Sequence, residues 1–169
     1  MLKFINCSII YLTVTVTKKL LILGPSYKRQ TNPELLQAFE RYDGVYFRVT
    51  RKNLHDENTK IFVLTENLEL FAAEDRIPFS PPQGGMWDQS RKILYKSDYI
   101  TKKRIENSKI IWKVIEENNI KEIFVAVGVN FRRALPDFSK YNARVISPKG
   151  GLGPTAKSLK HWLQNLSGR

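Results

Sequence analysis

Cysteine is almost missing from this chain: Cys7 is the only one in 169 residues. A single cysteine can form no intramolecular disulfide and assemble no cysteine-based zinc site, and such usage fits a cytoplasmic location. Histidine is nearly as scarce. His55 and His161 stand far apart in sequence, which leaves little material for a histidine-rich metal site or a histidine-based triad. No structural metal and no cofactor are expected. Acidic residues are in deficit, 16 Asp and Glu against 28 Lys and Arg, a formal net charge of +12. A field of that sign draws in polyanions such as tRNA, DNA or an acidic partner. The plainer reading is a merely basic surface.

Long hydrophobic runs are also absent. The longest apolar stretch, residues 4–16, is broken by Asn6, Ser8 and two threonines. It is too short to span a bilayer as a helix and has no small-residue cleavage site, so no membrane association is expected. Residues 1–17 read as an N-terminal extension: an edge strand, a poorly ordered segment, or the product of a start assigned too far upstream. Residues 18–169 read as one domain, since the chain is long enough for one sizeable core and short for two.

What remains is an alternation of short apolar runs with longer amphipathic ones, the pattern of a mainly parallel sheet with helices on both faces. The fold class expected is therefore α/β, three-layered and Rossmann-like. Leu20-Leu21-Ile22-Leu23, ended by Gly24-Pro25, predicts a buried strand. Asn32 and Pro33 suit the cap and first position of a helix whose Leu35, Leu36 and Phe39 would share a face. Residues 45–50 are a second candidate strand, although residues 47–54 read equally well as a helical turn. Residues 60–65 predict a central strand, and residues 77–87, with three prolines and two adjacent glycines, an irregular loop. Residues 98–118 carry isoleucine and valine at near-helical spacing and predict the longest helix. A buried strand over 122–127, a helix over 130–138 interrupted at Pro136, a strand over 143–146, a turn over 150–154 and a helix over 155–166 complete the reading. Trp112 and Trp162 are expected in the core. Basic residues recur as Lys18-Lys19, Lys28-Arg29, residues 48–52, residues 102–104 and Arg132-Arg133. Their dispersion places them on folded elements rather than in a tail.

Ligands of an open parallel sheet settle outside the carboxyl ends of its strands, which singles out residues 24–29, 65–69, 128–133 and 147–154. Pro25, Ser26, Tyr27, Lys28 and Arg29 set a hydroxyl, a phenol and two cations beside an expected helix start, a combination able to hold a phosphate or carboxylate. The spacing is neither that of a nucleotide P-loop nor that of a dinucleotide fingerprint. The alternative is a plain connecting loop. Lys149, Gly150, Gly151 and Gly153, ahead of Pro154, would let the backbone approach a ligand at a helix start, or else form only a tight turn. Trp87 could stack on a nucleobase, with Asp88 hydrogen-bonding its edge or acting as acid or base. The competing reading is an anchoring aromatic followed by a helix cap. Glu66, at a strand end beside Thr65, is a catalytic carboxylate or a solvated loop residue.

Taken together, Leu20-Leu21-Ile22-Leu23 with Pro25-Ser26-Tyr27-Lys28, Phe62-Val63-Leu64-Thr65 leading to Leu68-Glu69-Leu70, and Ile77-Pro78-Phe79 with Gly85-Met86-Trp87-Asp88 resemble the central domain of archaeosine synthase. Tyr42-Asp43-Gly44 and Gly150-Gly151-Leu152-Gly153 also resemble small uncharacterised proteins related to that domain. The likeness runs from about Lys19 to Leu166. It implies a tRNA-modifying transferase that attaches lysine at the nitrile of a 7-cyano-7-deazaguanine base, with a radical-SAM partner completing the conversion. A tRNA-binding partner subunit is implied as well. On this reading Ser26, Lys28, Glu66 and Asp88 are the candidate catalytic residues. Pro25, Tyr27, Arg29, Tyr42, Asp43, Thr65, Trp87, Gly128 and Arg132 would line the substrate, and Lys149, Gly150, Gly151 and Gly153 a phosphate. The family loop typically reads Pro-Cys-Ser followed by a lysine. Here the cysteine is absent and Lys28 falls one place early. If that cysteine carries chemistry, the chain binds without catalysing or uses another substrate. A non-catalytic basic nucleic-acid-binding subunit and a nucleobase-processing hydrolase are the alternatives.

Overall fold

Four consecutive aliphatic residues, Leu20 to Leu23, are wholly shielded from solvent on both sides, and this is what places their strand in the middle of a sheet. The computed structural model describes residues 18–81 and 96–165. The chain runs β1 (Lys18–Leu23), β2 (Leu35–Gln37), α1 (Ala38–Arg41), α2 (Val45–Asn53), β3 (Thr59–Leu64), β4 (Leu70–Ala72) and β5 (Arg76–Pro78). It continues with α3 (Ser97–Asn118), β6 (Ile120–Ala126), α4 (Val129–Arg132), a 3-10 turn (Phe138–Lys140), β7 (Arg144–Ile146) and α5 (Leu152–Gln164). Five strands form one sheet in the order β4-β3-β1-β6-β7; β1, β3, β6 and β7 are parallel, and β4 folds back antiparallel on β3. The fold is thus mixed α/β with a mostly parallel sheet. No helix among the described residues is long and apolar enough to cross a membrane.

Alternation along β1 sorts the core. Leu20 and Ile22 pack with Ile111 and Ile115 of α3, whereas Leu21 and Leu23 pack with Phe47 of α2 and Leu159, Trp162 and Leu163 of α5. Each such fully buried side chain contributes roughly 1.5–3 kcal/mol against unfolding. Trp162 is also fastened to β6, its indole N–H donating to Glu122 Oε1 at 2.6 Å.

Several expectations need correction. The Asn32-Pro33 helix start does not form: Leu35–Gln37 pair instead with Arg76–Pro78 as a two-stranded antiparallel ribbon. The carbonyls of Pro33 and Glu34 turn to the guanidinium of Arg41 rather than into a helix, and Leu35 is exposed, so it shares no buried face with Phe39. Tertiary pairing overrides a good local capping pattern. Residues 45–53 resolve as helix. Helix α4 stops at Arg132, short of the expected interruption at Pro136. Helix α5 begins at Leu152 rather than Thr155, with Pro154 in the first turn, where a missing N–H costs nothing. Trp112 is half exposed and stacks on Tyr141 with ring centroids 5.2 Å apart, while Trp162 is buried as expected.

Candidate functional site

Parallel strands deliver their carboxyl ends to one edge, and residues following β1 and β3 meet there. Residues 28–30 run antiparallel to residues 41–43: Asp43 N–H donates to Lys28 O at 2.9 Å and Gln30 N–H to Arg41 O at 2.8 Å. This bridge carries Arg29 and Tyr42 inward, where both reach Glu66 just beyond β3. Arg29 Nη1 donates to Glu66 Oε1 and the Tyr42 hydroxyl to Glu66 Oε2, each at 2.5 Å. Arg29 also donates to Ser80 O and Ser26 O, and its guanidinium lies over the Tyr42 ring. Only about a twentieth of either charged side chain is exposed. Glu66 is therefore not the solvated loop residue that one reading had it.

Burial alone would raise the Glu66 pKa; the Tyr42 hydrogen bond and the Arg29 charge more than reverse this and hold it below the usual carboxylate range. Burial, and then the Glu66 charge, push the Tyr42 hydroxyl well up, so it stays a donor. With both oxygens occupied, Glu66 anchors the 25–30 loop to the sheet.

Around this buried centre lies a polar rim. The hydroxyl of Ser26 donates to Lys28 O at 2.7 Å. Asp43 receives two hydrogen bonds from Arg48, at 2.8 and 3.1 Å, and pairs with Lys28 at 3.3 Å; chiefly through Arg48 its pKa is lowered to about 2. Lys28, Arg29, Gln30, Thr31, Asn32 and Asp43 line an open cavity of about 400 Å³. Gly44 must be glycine here, because a Cβ would stand 2.5 Å from the Ser26 hydroxyl.

The expected site residues thus divide. Ser26, Lys28, Arg29, Tyr42, Asp43 and Glu66 come together. Pro25 is half-buried beside them, and Tyr27 is largely exposed. Thr65 is buried and closes the next turn through its hydrogen bonds with Glu69. Gly128 starts α4, and Arg132 braces the ends of β6 and β7 by donating to Val127 O and Pro148 O. Lys149, Gly150, Gly151 and Gly153 lie at the foot of α5, with Gly150 at a φ of +132°. They share no hydrogen bond or ion pair with the Glu66 cluster among the described residues. Trp87 and Asp88 fall outside the described residues.

Two members were not anticipated. Arg41, almost wholly buried, donates to the carbonyls of Gln30, Pro33, Glu34 and Ile77. Asn107 of α3, also buried, donates to Leu68 O and Ala134 O, joining the loops after β3 and β6. Their positions inside otherwise amphipathic stretches are the only signal in the sequence, and nothing local says which carbonyls they meet. No group of three His, Cys, Asp or Glu among the described residues could hold a metal ion.

Comparison with family models, curated proteins and solved structures finds no match to this chain.

Proposed function

We propose that this chain is a tRNA-modifying, transferase-like protein of the archaeosine-synthase kind, acting on a 7-deazaguanine base at the carboxyl edge of a three-layer, Rossmann-like sheet. One observation carries the reading: Lys28 and Asp43, from two separate motifs behind the resemblance, line the same cavity. Its volume of about 400 Å³ lies within the ~300–1,000 Å³ usual for small-ligand sites. The amides of Gln30 and Asn32 offer donors and acceptors for the edge of an extruded base. In the reaction a free lysine amine adds across the nitrile; the C≡N bond becomes an amidine, one N–H proton moves to the nitrile nitrogen, and nothing leaves. Lys28, exposed at the mouth, faces the flanking phosphate.

The test is filter binding of tRNA carrying the nitrile base against the same tRNA with guanine, followed by mass spectrometry after incubation with free lysine. A preference of tenfold or more, lost in Gln30→Ala, Asn32→Ala, and a product heavier by one lysine are expected. Equal binding of both tRNAs and an unchanged mass would overturn the reading.

A second reading, a non-catalytic nucleic-acid-binding subunit, is favoured by the engagement of the Ser26 hydroxyl with Lys28 O and of both Glu66 oxygens. It requires salt-sensitive binding without turnover.

A further inference from the structure

Positive charge is unevenly spread over the two sides of the sheet. Helices α2 and α5 together carry Arg48, Arg51, Lys52, Lys157 and Lys160, and neither contains an Asp or Glu. Helix α3, on the other side, sets five cations against four carboxylates of its own, a near balance: Lys103 pairs with Glu106 and with Glu69 of the β3–β4 loop, Lys113 with Glu117, while Lys102, Arg104 and Lys109 are exposed without an ion pair among the described residues. Helices α2 and α5 lie side by side, with Phe47 and Leu159 in one core cluster and Gln164 Nε2 donating to Asn53 Oδ1 at 3.2 Å. Their cations therefore stand on two neighbouring helices on the same side of the sheet.

We propose that this α2–α5 face is a docking surface for the phosphate backbone of a nucleic acid, an inference that rests on the nucleic-acid reading above. Arg48 and Arg51 are partly committed to Asp43. Lys52, Lys157, Lys160 and, at the foot of α5, Lys149 are exposed, and among the described residues no carboxylate stands within ion-pair distance of any of them. These four exposed ammonium groups have no ion-pair partner among the described residues, and two of the elements that carry them, α2 and α5, hold no carboxylate; such a field attracts a polyanion, whose counterions are released on binding. The geometry also connects this face to the cavity. Helix α5 follows the carboxyl end of β7, and α2 starts at Gly44, against Ser26, so both helices begin at the edge where the cavity opens. Neither Gly44 nor Gly151 supplies a side-chain cap, which leaves first-turn N–H groups facing that edge. A backbone lying along α2 and α5 thus leads to the base-sized opening.

The probe is a fluorescein-labelled, unmodified tRNA transcript, so the outcome does not depend on any base chemistry. Two charge-matched variants are compared: Lys52, Lys149, Lys157 and Lys160 to Gln, and Lys102, Arg104, Lys109 and Lys113 to Gln. The first is expected to weaken binding at least tenfold at low salt and to flatten the log-affinity against log-salt slope by about 3, at ~0.7–0.9 per lost phosphate contact. The second should stay within about twofold of the parent. Should the fourfold variant not fold, Lys157→Gln with Lys160→Gln is expected to give about half the slope change. Equal losses in both variants would overturn the proposal by reducing the affinity to net charge, and no loss in the first would overturn it by placing the contact elsewhere. Displacement by poly-glutamate as effective as by unlabelled RNA would overturn it in favour of an acidic protein partner.

Discussion

The Tyr42 hydroxyl donates to Glu66 Oε2 at 2.5 Å, across 24 positions of sequence, while Arg29 occupies the other oxygen of the same carboxylate. The two donors come from adjacent strands of the 28–30 and 41–43 bridge, so one buried acid locks both segments to the end of β3.

Because this carboxylate is buried, its partners are strongly coupled. Arg29→Met leaves Glu66 charged with a single donor and is expected to cost about 3–5 kcal/mol in urea unfolding. Tyr42→Phe should cost about 1–3 kcal/mol. Arg29→Met combined with Glu66→Leu should cost less than the sum of the single variants, leaving a coupling energy above ~1 kcal/mol. Strict additivity would mean that the pair seen here does not persist in solution.

The pH dependence has a definite sign at each end. Glu66 and Asp43 both have folded-state values below their unfolded ones of about 4.3 and 3.9, so the unfolded chain takes up more protons in acid. Their contribution is complete above about pH 5 and disappears as pH falls through the folded values. The urea midpoint should hold steady from pH 7 to about 5 and then drop, and the gap between parent and Glu66→Gln should narrow as it drops. Tyr42 behaves oppositely. Its raised value means that its contribution is present below about pH 10 and is lost as pH climbs toward the folded value. Tyr42→Phe should therefore lose less stability than the parent between pH 10 and 11. A variant that tracks the parent at both ends would contradict the assignment.

Gly44→Ala places a methyl group 2.5 Å from the Ser26 hydroxyl and 2.6 Å from its Cβ, and should cost about 1–3 kcal/mol. Adding Ser26→Gly removes the clash and should recover most of the loss, even though the Ser26 hydrogen bond to Lys28 O goes with it. Thermal melts of the two variants decide this; no recovery in the double variant would place the strain elsewhere.

The sheet was legible because buried parallel strands leave continuous apolar runs, as at Leu20–Leu23 and Ile123–Val125, and α3 because its isoleucines recur at helical spacing. Short elements were not. Residues 45–53 alternate well enough for either state, and β2 exists only through pairing with β5, about 40 positions away. The carboxyl-edge loops were identified correctly as a group that the fold brings near one edge, yet the burial of Glu66 was invisible, since its partners lie 24 and 37 positions off. Trp112 misled because helical spacing cannot say which side of α3 meets the sheet. Lys157 and Lys160 are isolated letters in the sequence; only the i, i+3 spacing along α5 sets them together on its exposed side.

Arg41 gives the ribbon an unusual tolerance. Its guanidinium binds Gln30, Pro33, Glu34 and Ile77 through their main-chain oxygens alone. Main-chain oxygens are supplied by any amino acid, whereas their spacing along the chain is not negotiable. Arg41 itself makes no demand on the side chains at Gln30, Pro33 and Glu34, but an insertion or deletion of even one residue between Gln30 and Arg41 would move an acceptor out of reach. Arg41 thus acts as a ruler for this stretch, setting its length, while the core at Ala38 and Phe39 sets the composition of its far end.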